Sequence, residues 1–281
     1  MKLKTLRVNE LYRLSYYLRE QAIRMVYQAK TGHAAPACSI AELLSVLYFE
    51  KLNVDPQNPK WEDRDRFVLS KGHACPIYYA TLAKRGFFDE DILNTYRGLD
   101  SKLPGHPDMR KTPGVDMTTG SLGNGVSVAL GMAMICKRDK HKNFVYVITG
   151  DGELNEGIIW ESFMAGEHYH LDNLIVIVDN NGLQSGGNIK DVMNIYPLED
   201  KFKAFGWDVC TIDGHNVQEI SDAIDAAKVR NGKPHAIIAK TVKGKGVSFM
   251  EGQFLWHMKA PNDQEYEIAI KELRQEVAKY E

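Results

Sequence analysis

Residues 144–183 read FVYVITGDGELNEGIIWESFMAGEHYHLDNLIVIVDNNGL, and the two apolar runs in this stretch decide the fold. FVYVI and LIVIV are continuous Val/Ile-rich strands separated by a segment long enough for a helix. Strands of this kind are buried on both faces, which implies a parallel sheet with helical crossovers. Downstream, the order resumes as a strand (GWDVCTID, 206–213), a helix (NVQEISDAIDAAKV, 216–229) and a strand (HAIIAKT, 235–241). Upstream, RFVLSKG (66–72) reads as a short buried strand, and CPIYYATLAKRG (75–86) as a helix stopped by Gly86. VSVALGMAMICKR (126–138) is an apolar helix with small residues.

At the amino end, Leu11, Leu14, Leu18 and Met25 recur at helical spacing, which predicts a long amphipathic helix from Leu6 to about Lys30. Ser39 and Glu42 have the spacing of a capping box, which predicts a second helix starting at Ser39. A terminal helix is expected over 264–280. There is no internal repeat, low-complexity segment or long linker. The expectation is therefore one α/β domain over residues 1–281, in three layers: a mostly parallel sheet with helices on both faces.

Composition narrows the function classes. The chain has 281 residues, 44% hydrophobic and 26% charged, and 35 basic against 37 acidic residues give a net charge of −2. That balance predicts no nucleic-acid partner. The longest apolar runs fall far short of the roughly 18–20 residues of a membrane span, so no membrane partner is expected. The charged amino terminus does not read as a signal peptide. Cys38, Cys75, Cys136 and Cys210 lie far apart and form no C-x-x-C pair, which argues against a zinc site or a disulfide framework. The expected location is cytoplasmic.

In a parallel sheet, ligands bind outside the carboxyl ends of the strands. Two strand-end loops there carry acids and amides, TGDGELNEG and DNNGLQSGGN. Asp151 and Asn181 are 30 residues apart, one strand–helix–strand unit, so adjacent strands bring both to one sheet edge. Carboxylate, carboxamide and carbonyl oxygens are hard ligands suited to Mg²⁺ or Ca²⁺. Taken singly, Gly-Asp-Gly also serves as a tight turn and Asn-Asn as a strand cap. GSLGNG (120–125) precedes a helix and offers backbone N–H groups to an anion, without the dinucleotide fingerprint. His33, His73, His106, His215 and His257 fall in loops, where a rigid scaffold places functional side chains. His141, His168, His170 and His235 read as structural.

These residues in this order resemble the transketolase family. GDGELNEG followed by LDNLIVIVDNNGLQ is similar to the thiamine-diphosphate motif. TGH (31–33), SKGHA (70–74), PGHPD (104–108), TTGSLGNG (118–125), KGKGVSFME (243–251) and WHMKAPN (256–262) carry the likeness along nearly the whole chain. The resemblance implies the thiamine-diphosphate-binding fold and the N-terminal, pyrophosphate-binding subunit of a split transketolase. It implies Mg²⁺ or Ca²⁺ on Asp151, Asn181 and the Leu183 carbonyl. Gly120, Ser121, Leu122 and Gly152 match the diphosphate loops. His73 and His257 match histidines near the diphosphate and reacting centre, and His33 and His106 match those lining the donor's hydroxyls. Glu156 matches an acid at the dimer interface, and Lys259 a basic position near substrate and diphosphate.

The implied reaction transfers a two-carbon ketol unit from a ketose phosphate to an aldose phosphate, as in the pentose phosphate pathway. Histidines would relay protons, their ordinary pKa of about 6.5 suiting neutral pH. The implied partner is a C-terminal transketolase subunit supplying the pyrimidine side of the site, in a heterotetramer. VSFMEGQFLWHM and EGIIWESFM either line that interface or pack internally. The chain departs from the family pattern at Ala34-Ala35-Pro36, Asn124, Ser185-Gly186 and Met258, mostly on the substrate side. Other readings are a decarboxylating thiamine-diphosphate enzyme, a non-catalytic cofactor-binding module, or a nucleotide-binding α/β domain.

Overall fold

A computed structural model of the chain describes residues 3–280. Five strands form one wholly parallel sheet: β1 (Arg66–Leu69), β2 (Val145–Gly150), β3 (Leu174–Asn180), β4 (Asp208–Asp213) and β5 (His235–Lys240). They lie in the order β1-β2-β3-β5-β4.

Side chains alternate across each strand, and this alternation separates two cores. Phe67, Leu69, Tyr146, Ile148, Ile175, Ile177 and Ile237 face the helices Thr5–Ala29, Cys75–Arg85, Val217–Ala227 and Asp263–Val277. Val68, Val145, Val147, Leu174, Val176, Val178 and Ile238 face the helices Asn124–Arg138, Gly157–His168 and Leu198–Ala204. The expected three-layer arrangement is what forms. The order of travel explains which helix lies where. From β1 through β3 to β4 the chain moves one way across the sheet, and helices Asn124–Arg138, Gly157–His168 and Leu198–Ala204 lie on one face, while Cys75–Arg85, also between β1 and β2, packs on the other. From β4 to β5 it steps back, and right-handed crossover puts helix Val217–Ala227 on the other face. Loops leaving β3 and β5 therefore diverge and open a crevice at their carboxyl ends.

The capping box does not form. The segment after His33 makes a short helix, Ala34–Cys38, then a second, Ala41–Val46, which widens into a π turn at Leu47–Lys51. Ser39 instead donates to Pro36 O (3.0 Å) and to Asp179 Oδ2 (2.7 Å). Glu42 is buried and takes both Arg19 Nη atoms at 2.6 Å, the Ser15 hydroxyl at 3.0 Å and His215 Nδ1 at 2.9 Å. The Val242 N–H donates to the other nitrogen of His215 at 2.8 Å. A bidentate partner 23 residues upstream outcompetes the local cap, and His215, a loop candidate, becomes a structural link.

Burial alone would raise the Glu42 pKa, but the Arg19 guanidinium and then His215 hold it well below the usual carboxylate range. A carboxylate that titrates lower when folded stabilises above its unfolded pKa, about 4.3, and loses that contribution as the pH falls. Glu42→Gln should strand the Arg19 charge and cost about 3–5 kcal/mol in urea unfolding at pH 7. The gap to wild type should close on acidification below about pH 4. A loss under about 1 kcal/mol would show that Arg19 finds compensation elsewhere.

Candidate active site

The carboxyl ends of β1, β2, β3 and β5 surround a cavity of about 240 Å³. Nine of the residues singled out from sequence line it: His33, His73, Gly120, Leu122, Asp151, Gly152, Asn181, Leu183 and His257.

Asp151 follows β2 and Asn181 follows β3, and the β2–β3 register sets Gly150 level with Asp179. Asp151 is buried. Its two carboxylate oxygens accept from Gly152 N (2.8 Å) and Gly182 N (2.6 Å). Burial, followed by the charge of Asp179, pushes its carboxyl up to about 7. Such a site favours a cation that would restore the anionic form. Asn181 donates its amide to Asp179 Oδ2 (3.1 Å), and its Oδ1 accepts from Leu183 N (3.1 Å). No cluster of three or more His, Cys, Asp or Glu able to hold a metal occurs among the described residues. The oxygen donors present, one carboxylate, one carboxamide and the Leu183 carbonyl, fit a hard divalent cation that keeps few protein ligands.

Four histidines gather across the cavity. The His33 ring lies 5.2 Å from His73, 5.4 Å from His257 and 6.4 Å from His106, centre to centre, and His73 lies 5.0 Å from His257. His106 is more exposed and also packs beside Gly120. Burial, reinforced by His106, Arg97, Lys243 and Lys71, lowers His33 to about 4. Burial and Lys243 lower His257 to about 3. Burial and Lys71 depress His73 strongly, and burial and Arg97 depress His106. Near-neutral titration, expected from the free side chain, is thus corrected: in this environment the rings are uncharged at pH 7.

His106, Ser121, Glu156 and Lys259 lie outside the cavity lining. Ser121 lies on the turn before helix Asn124–Arg138. Glu156 is exposed, and its side chain packs beside Gly123. Lys259 pairs with Glu265 (2.8 Å) and lies 3.9 Å over the Trp256 ring, so the structure does not bring it to the site. The cavity's lysines are others. Lys243 sits 2.9 Å from His257 Nδ1 and 3.4 Å from the carbonyls of Leu183 and Gln184, with burial, then Lys71, lowering it to about 8. Lys71 pairs with buried Asp179. Glu153 is a further positioning residue. It takes the Ser70 hydroxyl and Gly123 N (2.8 Å) on one oxygen, and the Thr149 hydroxyl (2.8 Å) and Gly150 N (3.1 Å) on the other. These three charges stand within SKGHA, GDGE and KGKG, motifs whose Asp, Gly and His letters carry the stronger signal.

The family model described as transketolase, thiamine diphosphate binding domain, matches residues 12–278. This chain belongs to the transketolase family. It is 44% identical to the 6-deoxy-6-sulfo-D-fructose transketolase subunit of Clostridium sp. (strain MSTE9), over 93% of this chain and 95% of that protein. It is 46% identical to an apulose-4-phosphate transketolase subunit of Actinobacillus succinogenes, over 87% of this chain and 88% of that protein. Human transketolase is 41% identical over 92% of this chain but only 41% of its own length. The transketolase structure from Campylobacter jejuni superposes with a TM-score of 0.87 and 32% identity, covering all of this chain and 46% of that one. The chain therefore spans less than half of the larger transketolases and nearly all of the subunit relatives. It corresponds to the thiamine-diphosphate-binding, N-terminal part of a transketolase, and the decarboxylating and nucleotide-binding alternatives gain nothing from these comparisons.

Asp151→Asn should remove the charge that attracts a cation and keep one of the two backbone contacts, since the amide nitrogen cannot accept from Gly152 N or Gly182 N. The loss of a charged contact, about 1.5–3 kcal/mol, corresponds to roughly 10- to 150-fold weaker Mg²⁺-dependent binding of thiamine diphosphate by calorimetry. Wild-type affinity in this variant would remove Asp151 from the metal site.

Proposed function

We propose that this chain is the cofactor- and metal-binding subunit of a two-subunit transketolase, moving a two-carbon ketol unit from an anionic ketose to an aldose. One observation carries the reading. A single cavity sets the oxygen donors Asp151, Asn181 and Leu183 against the rings of His33, His73 and His257, in a chain of the transketolase family.

Thiamine diphosphate, when bound, supplies a nucleophilic carbon that attacks a ketose carbonyl and takes up electrons as the adjacent carbon–carbon bond breaks. Asp151, Asn181 and the Leu183 carbonyl would hold Mg²⁺ or Ca²⁺, and through it the diphosphate. The Gly120–Leu122 turn and Gly152 would border the anion, with Lys243 rather than Lys259 as the nearby positive charge. A neutral imidazole offers one N–H and one lone pair, so His33, His73 or His106 could donate to one sugar hydroxyl and accept from another, while His257 Nδ1 already meets Lys243 Nζ. An anionic ligand among them raises their proton affinity and fits them to pass protons as the bond breaks.

The partner in this reading is a C-terminal subunit that brings the pyrimidine side of the cofactor site. Glu156 and the exposed Met164, Leu255 and Met258 would face neighbouring subunits of a heterotetramer. VSFMEGQFLWHM and EGIIWESFM each divide between the two roles: Val247, Met250, Ile159 and Phe163 are buried, while those three residues stay exposed. The relatives are named for sugars carrying a sulfonate or a phosphate, which favours an anionic ketose donor here. No helix among the described residues is long and apolar enough to cross a membrane.

The purified chain should show no ketol transfer alone and should gain it on co-expression with a transketolase C-terminal subunit. The assay is aldose formation from a panel of pentose-phosphate and other anionic ketoses. Robust activity from the isolated chain, with any partner excluded by mass spectrometry, would overturn the two-subunit reading. In the active complex, His106→Ala should leave cofactor affinity nearly unchanged and lower donor kcat/KM several-fold to about two hundredfold, the range of a lost buried hydrogen bond. Unchanged donor kinetics would return His106 to a structural role.

A further inference from the structure

Among the residues lining the cavity, two have a buried side-chain nitrogen with no hydrogen-bond partner: His33 Nδ1 and Gln184 Nε2. Buried N–H groups in folded proteins are nearly always paired, so an orphan in a cavity wall points to an acceptor arriving with a ligand.

Gln184 is held where it stands. Its backbone N–H donates to Gly187 O at 2.8 Å, its backbone carbonyl lies 3.4 Å from Lys243 Nζ, and the loop is closed by the Leu183–Asn188 bridge and by Ile189 N to Gly182 O at 2.9 Å. The side chain lies across Gly152. A Cβ on Gly152 would stand 3.1 Å from Gln184 Cγ and 3.5 Å from its Cδ, so the absence of a side chain at 152 makes room for the glutamine. The carboxamide is thereby placed between the loops after β2 and β3, beside Asp151 and next in sequence to the Leu183 carbonyl. That is the metal side of the cavity.

We propose that Gln184 is a further cofactor-binding residue, its side-chain NH₂ donating to an oxygen of the diphosphate. The assignment rests on the reading of the cavity as a thiamine-diphosphate site. It follows from what is missing locally: the N–H groups of Gly152, Gly182, Leu183 and Gln184 already have acceptors, and the buried carboxamide nitrogen without a partner is itself a donor. An anion rich in oxygen atoms, drawn to this side by a cation on Asp151 and Asn181, supplies the acceptor.

The test uses the full-length chain and calorimetry with two probes, thiamine diphosphate and inorganic diphosphate, each with Mg²⁺. Gln184→Met keeps length and removes the donor, and Gln184→Glu keeps shape and adds a charge that repels the anion. Far-UV circular dichroism and thermal unfolding confirm that each variant folds. Gln184→Met should weaken both probes about 5- to 100-fold, and Gln184→Glu at least as much. Equal affinity of wild type and Gln184→Met would overturn the proposal while leaving the cavity reading intact. Weakened thiamine diphosphate with unchanged inorganic diphosphate would move the contact to the thiamine portion and overturn it as well. A wild-type chain that binds neither probe, alone or together with a C-terminal partner subunit, would defeat the cavity reading itself.

Discussion

The site depends on the ion pair between Lys71 and Asp179, both buried at the floor of the cavity. Lys71 also donates to Pro36 O at 2.9 Å. Asp179 accepts from Ser39 Oγ, from Asn181 Nδ2 and from the Thr241 hydroxyl, and its backbone oxygen accepts from Asp151 N at 3.2 Å. One residue thus ties together the ends of β1, β2, β3 and β5 and the turn after His33. Burial disfavours its charge, and Lys71 more than compensates, holding it below the usual carboxylate range. Removing one member of such a pair leaves an isolated buried charge, at a cost of about 3–5 kcal/mol. The pair also orients Asn181. With its amide nitrogen engaged by Asp179, the carboxamide oxygen, which also accepts from Leu183 N, is the atom that would face a cation.

Charge around this floor is unevenly divided. Burial first, and then Lys71, Lys243 and Arg97, disfavour a proton on the four histidines. Across the cavity, burial and Asp179 act on Asp151 in the opposite sense, favouring a bound proton there. Both shifts would be opposed by the pair of groups in the proposed function. A divalent cation stabilises ionised Asp151, and a polyanion stabilises protonated imidazole. The proposed occupancy, a cation and an anion together, would therefore relieve both.

Much of this was legible in the chain. FVYVI, LIVIV and HAIIAK are apolar on both sides of the pleat, so a doubly covered parallel sheet was readable, and with it the meeting of Asp151 and Asn181 at one edge. His33, His73 and His106 stand out by the glycine before each, whereas His257, between Trp256 and Met258, has no such mark. What stayed hidden were residues whose partners lie far away in sequence. The Ser39–Glu42 spacing matches a cap, but tertiary partners, Asp179 for one and Arg19 for the other, take both side chains. Lys259 lies in a motif beside a site histidine, yet Glu265 and Trp256 hold it outside. Lys243 reaches the site because β5 delivers its loop there, and no spacing rule shows that. Glu153 reads as an ordinary acid after Gly-Asp-Gly until the turn folds and its carboxylate meets Ser70, Gly123 and Thr149.

The two-faced alternation along β2 and β3 sets a limit on how such a chain changes over generations. Sliding either strand by one residue would exchange Tyr146 and Ile148 with Val145 and Val147, or Ile175 and Ile177 with Leu174 and Val176, turning each set toward a core shaped for the other. Insertions and deletions inside the strands are thereby excluded, and the height of Asp151 relative to Asn181 is inherited unchanged. The loops beyond the strand ends carry no such restriction. Changes at the exposed Ser185 and Gly186 reshape the mouth of the cavity without disturbing its floor, whereas Ala34–Pro36, buried and holding Lys71 through the Pro36 carbonyl, is tied to that floor. New sugars can therefore be accommodated by editing loops, while the cofactor half of the site is passed on intact.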